Sequence, residues 1–384
     1  MSKVNPDVTV TAGRSALGTA GGSQPPEDPT PRTDPAARAE DPLVRPSLPR
    51  WSVLGLLGAT FAGVLLLQLT VWSFNAVALI LLTAIVFGVG VYAASAVREG
   101  RRQALDRVVT VVVTTFFLLA IVPLVSVLVE VVSEGYRRFD IEFFTYSMRG
   151  VVGEGGGAYA AIMGTLVITA VTTLMSVPIG VLAAVYLVEY SKGNRLGKAL
   201  TFFVDVMTGI PSIVAGLFAV SLFILFLGPG ARSGIIGAVA LSVLMIPVVV
   251  RATEEMLRLV PNELREASYA LGVSKWRTVT KVVIRTSIAG IVTGVTLAVA
   301  RVIGETAPLL VTVGLTTSTN LNPFSGRMAT LPVFSYYQYA QPGVPQQPFF
   351  ERAWAAALTL IIIVMALNLV ARLISRFFAP KTGR

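Results

Sequence analysis

Arg301 and Glu305 stand four residues apart inside an otherwise apolar run. At the centre of a membrane-spanning helix each would cost about 2.5–3.5 kcal/mol, so each must face a partner or an aqueous path. The spacing puts both on one helix face, close enough to pair. Two readings stay open. The pair is a structural ion pair that fixes helix packing, or Arg301 offers its planar fork to an anion in transit while Glu305 compensates the charge. The stretch Gly304–Gly314 that follows holds Gly304, Pro308 and Gly314, which together interrupt a helix. Irregular backbone at that depth is tolerated only where it is buried in protein or lines a cavity, so the stretch is a candidate gate.

The second chemical segment is 251–285, a basic loop. Pro261 suits the first helical position and Glu263 the first turn, where the helix dipole favours a carboxylate. Leu264, Ala267 and Leu271 follow on one face. Gly272 closes the helix in a left-handed conformation and Ser274 caps the next turn. The spacing predicts a short amphipathic helix over 261–271, either lying flat on lipid or offered to the cytoplasm. Arg251, at the membrane edge, serves equally as a lipid-headgroup anchor or as a contact for an anion.

Other chemistry is excluded by composition. With no His and no Cys there is no Ser-His-Asp triad, thiolate nucleophile, zinc-thiolate site or disulfide. No G-x-x-x-x-G-K-[ST] phosphate loop occurs, so the chain has no ATP site of that type. No cofactor and no metal site is expected.

The elements that must position these residues follow from hydropathy. Of 384 residues 54% are hydrophobic and 14% charged, against about 25% charged in soluble domains. The fold class is therefore all-α, a polytopic membrane protein. About eight transmembrane helices are predicted, near 51–73, 75–97, 108–132, 159–188, 199–228, 234–250, 287–313 and 353–375. The fourth and fifth are overlong and carry Pro178 and Pro211, where kinks are expected. Residues 1–48, rich in Pro, Asp and Ala, read as a disordered tail. Of the 31 Lys and Arg, 24 fall in the tail, in alternate loops and at the C-terminus, against 5 in the opposite loops. That asymmetry places both termini in the cytoplasm. The net charge of +10 is then explained by basic loops beside anionic membrane lipid, with no nucleic acid as partner. The opposite loop 314–351 is long and aromatic, with Phe334, Tyr336, Tyr337, Tyr339, Phe349 and Phe350. It reads either as an interfacial belt or as a docking surface.

Glu266-Ala267-Ser268-Tyr269-Ala270-Leu271-Gly272 resembles the E-A-A-x-x-x-G signature of ABC-importer permeases. The family pattern carries a Pro where this chain has Arg285. Arg301-Val302-Ile303-Gly304-Glu305-Thr306-Ala307-Pro308-Leu309-Leu310 resembles the R-x-x-G-E-T-A-P-L-L block of the PstA-type permeases of bacterial phosphate importers. Gly209–Phe218, Pro178-Ile179-Gly180 with Tyr186–Tyr190, and Arg251–Glu255 are similar to the same family. The likeness is collinear over residues 108–384.

The resemblance implies a six-helix permease core at 108–384 with its coupling loop at 251–285, and an added pair of helices at 49–107. It implies that Glu266, Ala267, Ser268 and Gly272 engage an ATPase, and that Arg251 and Arg301 belong to a phosphate path with Glu305. The implied partners are a homologous permease (PstC-like), two ATP-binding subunits (PstB-like) that carry the ATP-Mg, and an extracytoplasmic phosphate-binding protein (PstS-like). The implied location is the bacterial inner membrane, and the chain itself is not an enzyme. Two alternatives stand: a permease for another oxyanion such as molybdate or sulfate, and an ATP-independent secondary transporter.

Overall fold

The computed structural model describes residues 49–71, 75–191 and 193–378. The predicted tail, 1–48, lies outside the described residues. Every regular element among those described is helical, and the chain divides into two compact units, Met1–Leu119 and Ala120–Arg384. The boundary between the two units falls inside a helix.

In the first unit, α1 (Arg50–Val71) and α2 (Ala76–Arg98) pack together. The side chain of Asn75 caps α2 by accepting the N–H groups of Val77 and Ala78. The first turns of α3 (Arg101–Gly135) complete the unit. Glu99 is buried here between the Ser95 hydroxyl and Arg107, whose Nη2 lies 2.6 Å away.

Among the described residues, the second unit holds the remainder of α3 and eleven further helices. After the short α4 (Ile141–Thr145), its core is α5 (Tyr159–Val185) against α8 (Gly234–Arg258). Small residues make that contact possible. Gly164, Thr165, Ile168, Thr172, Ser176, Gly180 and Ala184 are buried on α5 at helical spacing, and a Cβ at Gly180 would fall 2.7 Å from Val249 Cγ1. In a membrane, close backbone approach of this kind replaces the hydrophobic drive available in water. Thr165 and Thr172 satisfy their buried hydroxyls on the carbonyls one turn back, each at 2.8 Å. The helix runs on through Pro178 and ends in a widened π turn, Tyr186–Tyr190.

The predicted fifth span is not one straight helix. The amphipathic α6 (Arg195–Thr208) and the apolar α7 (Ser212–Leu227) meet at 110°. Gly209 closes α6, and Pro211, which has no N–H to donate, starts the next segment extended at ψ 138°. Among the described residues, seven helices are thus long and apolar enough to cross a membrane, or eight if this bent pair counts as one span.

The seventh prediction, 287–313, also changes. Beyond α9 (Asn262–Ala270) and α10 (Lys275–Thr278), a π turn at Val279–Val283 leads into α11 (Ile284–Ile303). Arg285 sits inside that helical run, so its replacement of Pro introduces no break. The chain then breaks at Gly304–Thr306 before α12 (Ala307–Thr312). The last elements are α13 (Leu331–Ala340) and α14 (Gln347–Phe378). The aromatic loop is therefore largely ordered: Leu331, Val333 and Phe334 are buried, and Tyr339 packs on Phe350 and Trp354. Phe334 belongs to the core, not to a surface belt.

Candidate functional site

The depth of Arg301 follows from helix register. A Cβ at Gly294 of α11 would fall 2.6 Å from Ala252 Cβ of α8, and Gly290 lies against Met256. The two helices run antiparallel, and the same register carries Arg301 to the level of Met245, halfway along α8. Arg301 thus lies beside the middle of α8, a membrane-length helix, although it is close to the end of its own helix. Its side chain is exposed on the surface of this chain. Arg251 lies about 9 Å away along the bundle axis, at about 1.5 Å per residue.

The expected pairing of Arg301 with Glu305 is not formed. The helix ends at Ile303, Gly304 caps it, and the Glu305 N–H folds back to the Val302 carbonyl at 3.1 Å. Four residues share a face only while the helix continues, and here it stops after two. Glu305 is half-buried beyond the break. The interruption itself is where the sequence put it. Pro308 occupies the first turn of α12, where its missing N–H has no consequence. Gly314, at φ +72°, ends that helix in a conformation other residues rarely adopt. The short helix seats on α7 because Gly216 has no side chain: a Cβ there would fall 2.7 Å from Pro308 Cα.

Arg251 is engaged on both sides. It donates to Asp205 of α6 through Nη2 and to Glu254 through Nη1 at 2.8 Å, while Arg258 meets the other oxygen of Glu254 at 2.6 Å. In this conformation its guanidinium is shared between two carboxylates and links the bent α6–α7 segment to α8. A cleft of about 530 Å³ opens beside the network, lined among others by Lys198, Asp205, Glu254 and Arg258.

The loop helix forms close to the prediction, with instructive differences. It spans Asn262–Ala270, one residue shorter at each end, because Pro261 is extended (ψ 142°) and sits just outside the first turn. Gly272, at φ +75°, donates to the Tyr269 carbonyl, and Val273 donates to that of Ser268. This is the paired hydrogen-bond pattern of a Schellman cap. Ser274 precedes α10, but its side chain makes no capping bond. The apolar residues Leu264, Ala267 and Leu271 are exposed, together with Glu266. Ser268, predicted to meet a partner, instead points inward: it is buried, and its hydroxyl meets that of Thr278 at 2.8 Å. It positions the helix.

Sequence reasoning missed Arg265, Glu189, Lys275 and Arg352. The guanidinium of Arg265 donates to Glu189 Oε1 from Nε (3.0 Å) and Nη2 (2.9 Å). It also donates to the carbonyls of Leu257 (2.9 Å) and Val260 (2.5 Å) at the end of α8. Lys275 donates to the backbone carbonyl of Glu189 and lies 4.7 Å over the Tyr190 ring. At the other end of the unit, Arg352 is fully buried. It donates to the carbonyls of Gly153 (2.7 Å) and Gly155 (2.9 Å) and to Gln338 (3.1 Å), with Phe349 stacked 4.6 Å away. The available signal was the position of each charge: Glu189 at the end of an apolar span, Arg265 as the basic residue of a short helix, Arg352 at the head of the last span.

Residues 176–384 match the family model described as binding-protein-dependent transport system inner membrane component. Among curated proteins, the chain is 49% identical to phosphate transport system permease protein PstA 1 of Mycobacterium tuberculosis, over 74% of this chain and 91% of the relative. It is 41% identical to PstA of Pasteurella multocida (67% and 88% covered) and 35% identical to PstA of Yersinia pestis (74% and 93% covered). Among solved structures, a chain of a bacterial alginate ABC transporter in complex with its pentasaccharide-bound periplasmic protein shares the fold. It superposes with a TM-score of 0.50 at 14% identity, over 73% of this chain and 97% of that one. A permease-type helical bundle, a helix broken between α11 and α12 and relatives covered over 88–93% of their length agree, and the chain belongs to the binding-protein-dependent inner-membrane components, among the PstA permeases of phosphate transport systems.

Proposed function

We propose that this chain forms half of the translocation path of an ATP-driven importer for inorganic phosphate. The observation that carries the reading is Arg301. A guanidinium exposed beside the middle of a membrane-length helix would cost up to about 2.5–3.5 kcal/mol facing lipid, so the surface around it meets a partner helix bundle and an aqueous path. A homologous permease supplies the other half. Two ATP-binding subunits supply ATP-Mg hydrolysis, and an external binding protein delivers the anion. Phosphate as the substrate is supported by the names of the curated relatives and by the fit of a planar five-donor fork to an oxyanion.

In this reading both termini and α9 lie in the cytoplasm. Glu266, Ala267 and the neighbouring leucines face the ATP-binding subunit, and Gly272 holds the end of that surface in shape. The break at Gly304, with Pro308 and Gly314 after it, lets α11 and α12 move as separate pieces, which makes it the gate. An anion passing it would meet Arg301 with Glu305 close in sequence. It would then meet Arg251, provided Asp205 and Glu254 release it in another conformation. Helices α1 and α2 anchor the chain.

Uptake of labelled phosphate at micromolar concentration tests this in cells lacking the gene and in cells regaining it, with no second importer present. Uptake should return with the gene, resist excess sulfate and molybdate, and be lost with Arg301→Gln in a complex that still assembles. Uptake that does not depend on the gene would remove phosphate as the substrate. Suppression by molybdate would reassign it to another oxyanion.

A further inference from the structure

The loop helix α9 is held in an unusual way. An amphipathic helix ordinarily buries its apolar face on the body that carries it. Here Leu264, Ala267 and Leu271 are exposed, and Ser268 is the buried residue of the helix. The attachments are polar. Ser268 meets Thr278, which lies in the first turn of the helical run Lys275–Ile303, so it ties α9 to the start of the α11 span and not to α5 or α8.

The link from the helix to α5 and α8 is Arg265. Its side chain is 13% exposed and that of Glu189 is 5% exposed. One guanidinium joins three elements: α9, which carries it; the end of α8, through two carbonyls; and the π turn that ends α5, through the Glu189 carboxylate. The same residue of α5 is held from the far side of the loop, where Lys275 of α10 donates to the Glu189 carbonyl. Glu189 is therefore gripped through its side chain by the helix before Gly272 and through its peptide by the helix after it. A π turn adds one residue to the ring of the hydrogen bond, and such turns recur at functional positions.

We propose that the Arg265–Glu189 pair transmits the movement of α9 to α5, in step with α8. Both are positioning residues of the transport cycle. The inference rests on the reading of α9 as the surface that meets the ATP-binding subunit. A contact that only stabilised the loop would lower assembly, hydrolysis and transport together. A transmitting contact does something else when it is cut: the exposed face still docks, hydrolysis continues, and the stroke no longer reaches the bundle.

The full complex in proteoliposomes distinguishes the two. In Glu189→Gln and Arg265→Gln the ATP hydrolysed per phosphate imported should rise at least about fivefold, the low end of typical coupling between sites, with complex yield unchanged. The charge-reversed pair Arg265→Glu with Glu189→Arg should recover part of the native ratio. A native ratio in the single variants overturns the proposal, and so does a proportional fall of hydrolysis and transport. Absence of phosphate uptake by the unmodified complex would strike the substrate reading instead. The link is then judged by distance. The chain has no cysteine, so Glu263→Cys on α9 and Leu174→Cys on exposed α5 are its two spin-label sites, and the chain is labelled with partner subunits freed of cysteine. Their separation should stay fixed on nucleotide trapping in the native pair and change by several ångströms in Glu189→Gln. Equal behaviour in both overturns the proposal.

Discussion

Replacing Arg352 by Met should release the glycine-rich loop 150–157 without loosening the helical core. Arg352 makes two charge-assisted hydrogen bonds to loop carbonyls, at 2.7 and 2.9 Å. Bonds to a charged group are worth about 1.5–3 kcal/mol each, so the gross loss is about 3–6 kcal/mol. Part is offset. The Nη2 nitrogen is buried with no hydrogen-bond partner, a penalty of about 1–3 kcal/mol that Met removes together with the buried charge. Taking the middle of each range, about 4.5 less about 2, the remaining loss is about 2.5 kcal/mol, and at 1.36 kcal/mol per decade local opening becomes about 70-fold more frequent. Hydrogen exchange reads this directly at two amides: Gly156, which donates to Glu142 Oε1 at 2.9 Å, and Ala158, which donates to the Phe143 carbonyl at 2.8 Å. Both should speed up by that factor while amides of α8 keep their native rates. Arg352→Lys, which keeps the charge but not the fork, should fall between. A change of less than about threefold would refute this account, as would equal acceleration in α8.

Gly216→Ala forces a Cβ to within 2.7 Å of Pro308 Cα. Overpacking of about 1–3 kcal/mol should lower the melting temperature in detergent by several degrees, and an unchanged value would contradict the close seat of α12 on α7. At Gly272 a Cβ would meet open space, so Gly272→Ala tests conformation alone. The positive φ should cost about 1–2 kcal/mol, and tryptic cleavage at Lys275 should increase more than in Gly272→Asn. Thr165→Val removes the hydroxyl that accepts the Leu331 N–H at 2.8 Å. The orphaned donor should lower stability by about 1–3 kcal/mol, measured by thermal unfolding against Thr173→Val on the half-buried face. Glu266→Lys reverses an exposed charge on α9, and it should leave insertion intact while uptake is lost. Normal uptake would remove Glu266 from the docking surface.

What the sequence revealed divides by distance along the chain. Local chemistry was legible: Gly272 as a helix stop, Gly304, Pro308 and Gly314 as an interruption, and the apolar stripe of α9. Direction was not. Hydropathy over 199–228 counts apolar residues but carries no information on angle, so the 110° turn at Gly209–Pro211 was reduced to an expected kink. The stripe Leu264–Ala267–Leu271 could be recognised, but not the side it faces. The interactions that hold the site in place were hidden for a different reason. Arg265 meets Glu189 across 76 residues, and Arg251 meets Asp205 across 46. No periodicity links such partners. A charge at the edge of an apolar run marks Glu189 and Arg251, and only the packed helices show where the counterpart of each lies.

The Arg352 clip also sets a schedule for making the protein. Gly153 and the arginine that holds its carbonyl are 199 residues apart. At about 5–20 residues per second, a ribosome reaches Arg352 about 10–40 s after the loop has been synthesised. Through that interval the glycine carbonyls are without the arginine, whatever the state of the early helices. The local bonds of the loop to Arg138, Glu142 and Phe143 can form at once, but its clip closes only after Arg352 is made, so a chain terminated before that residue contains every residue of the loop and lacks the bonds that hold Gly153 and Gly155.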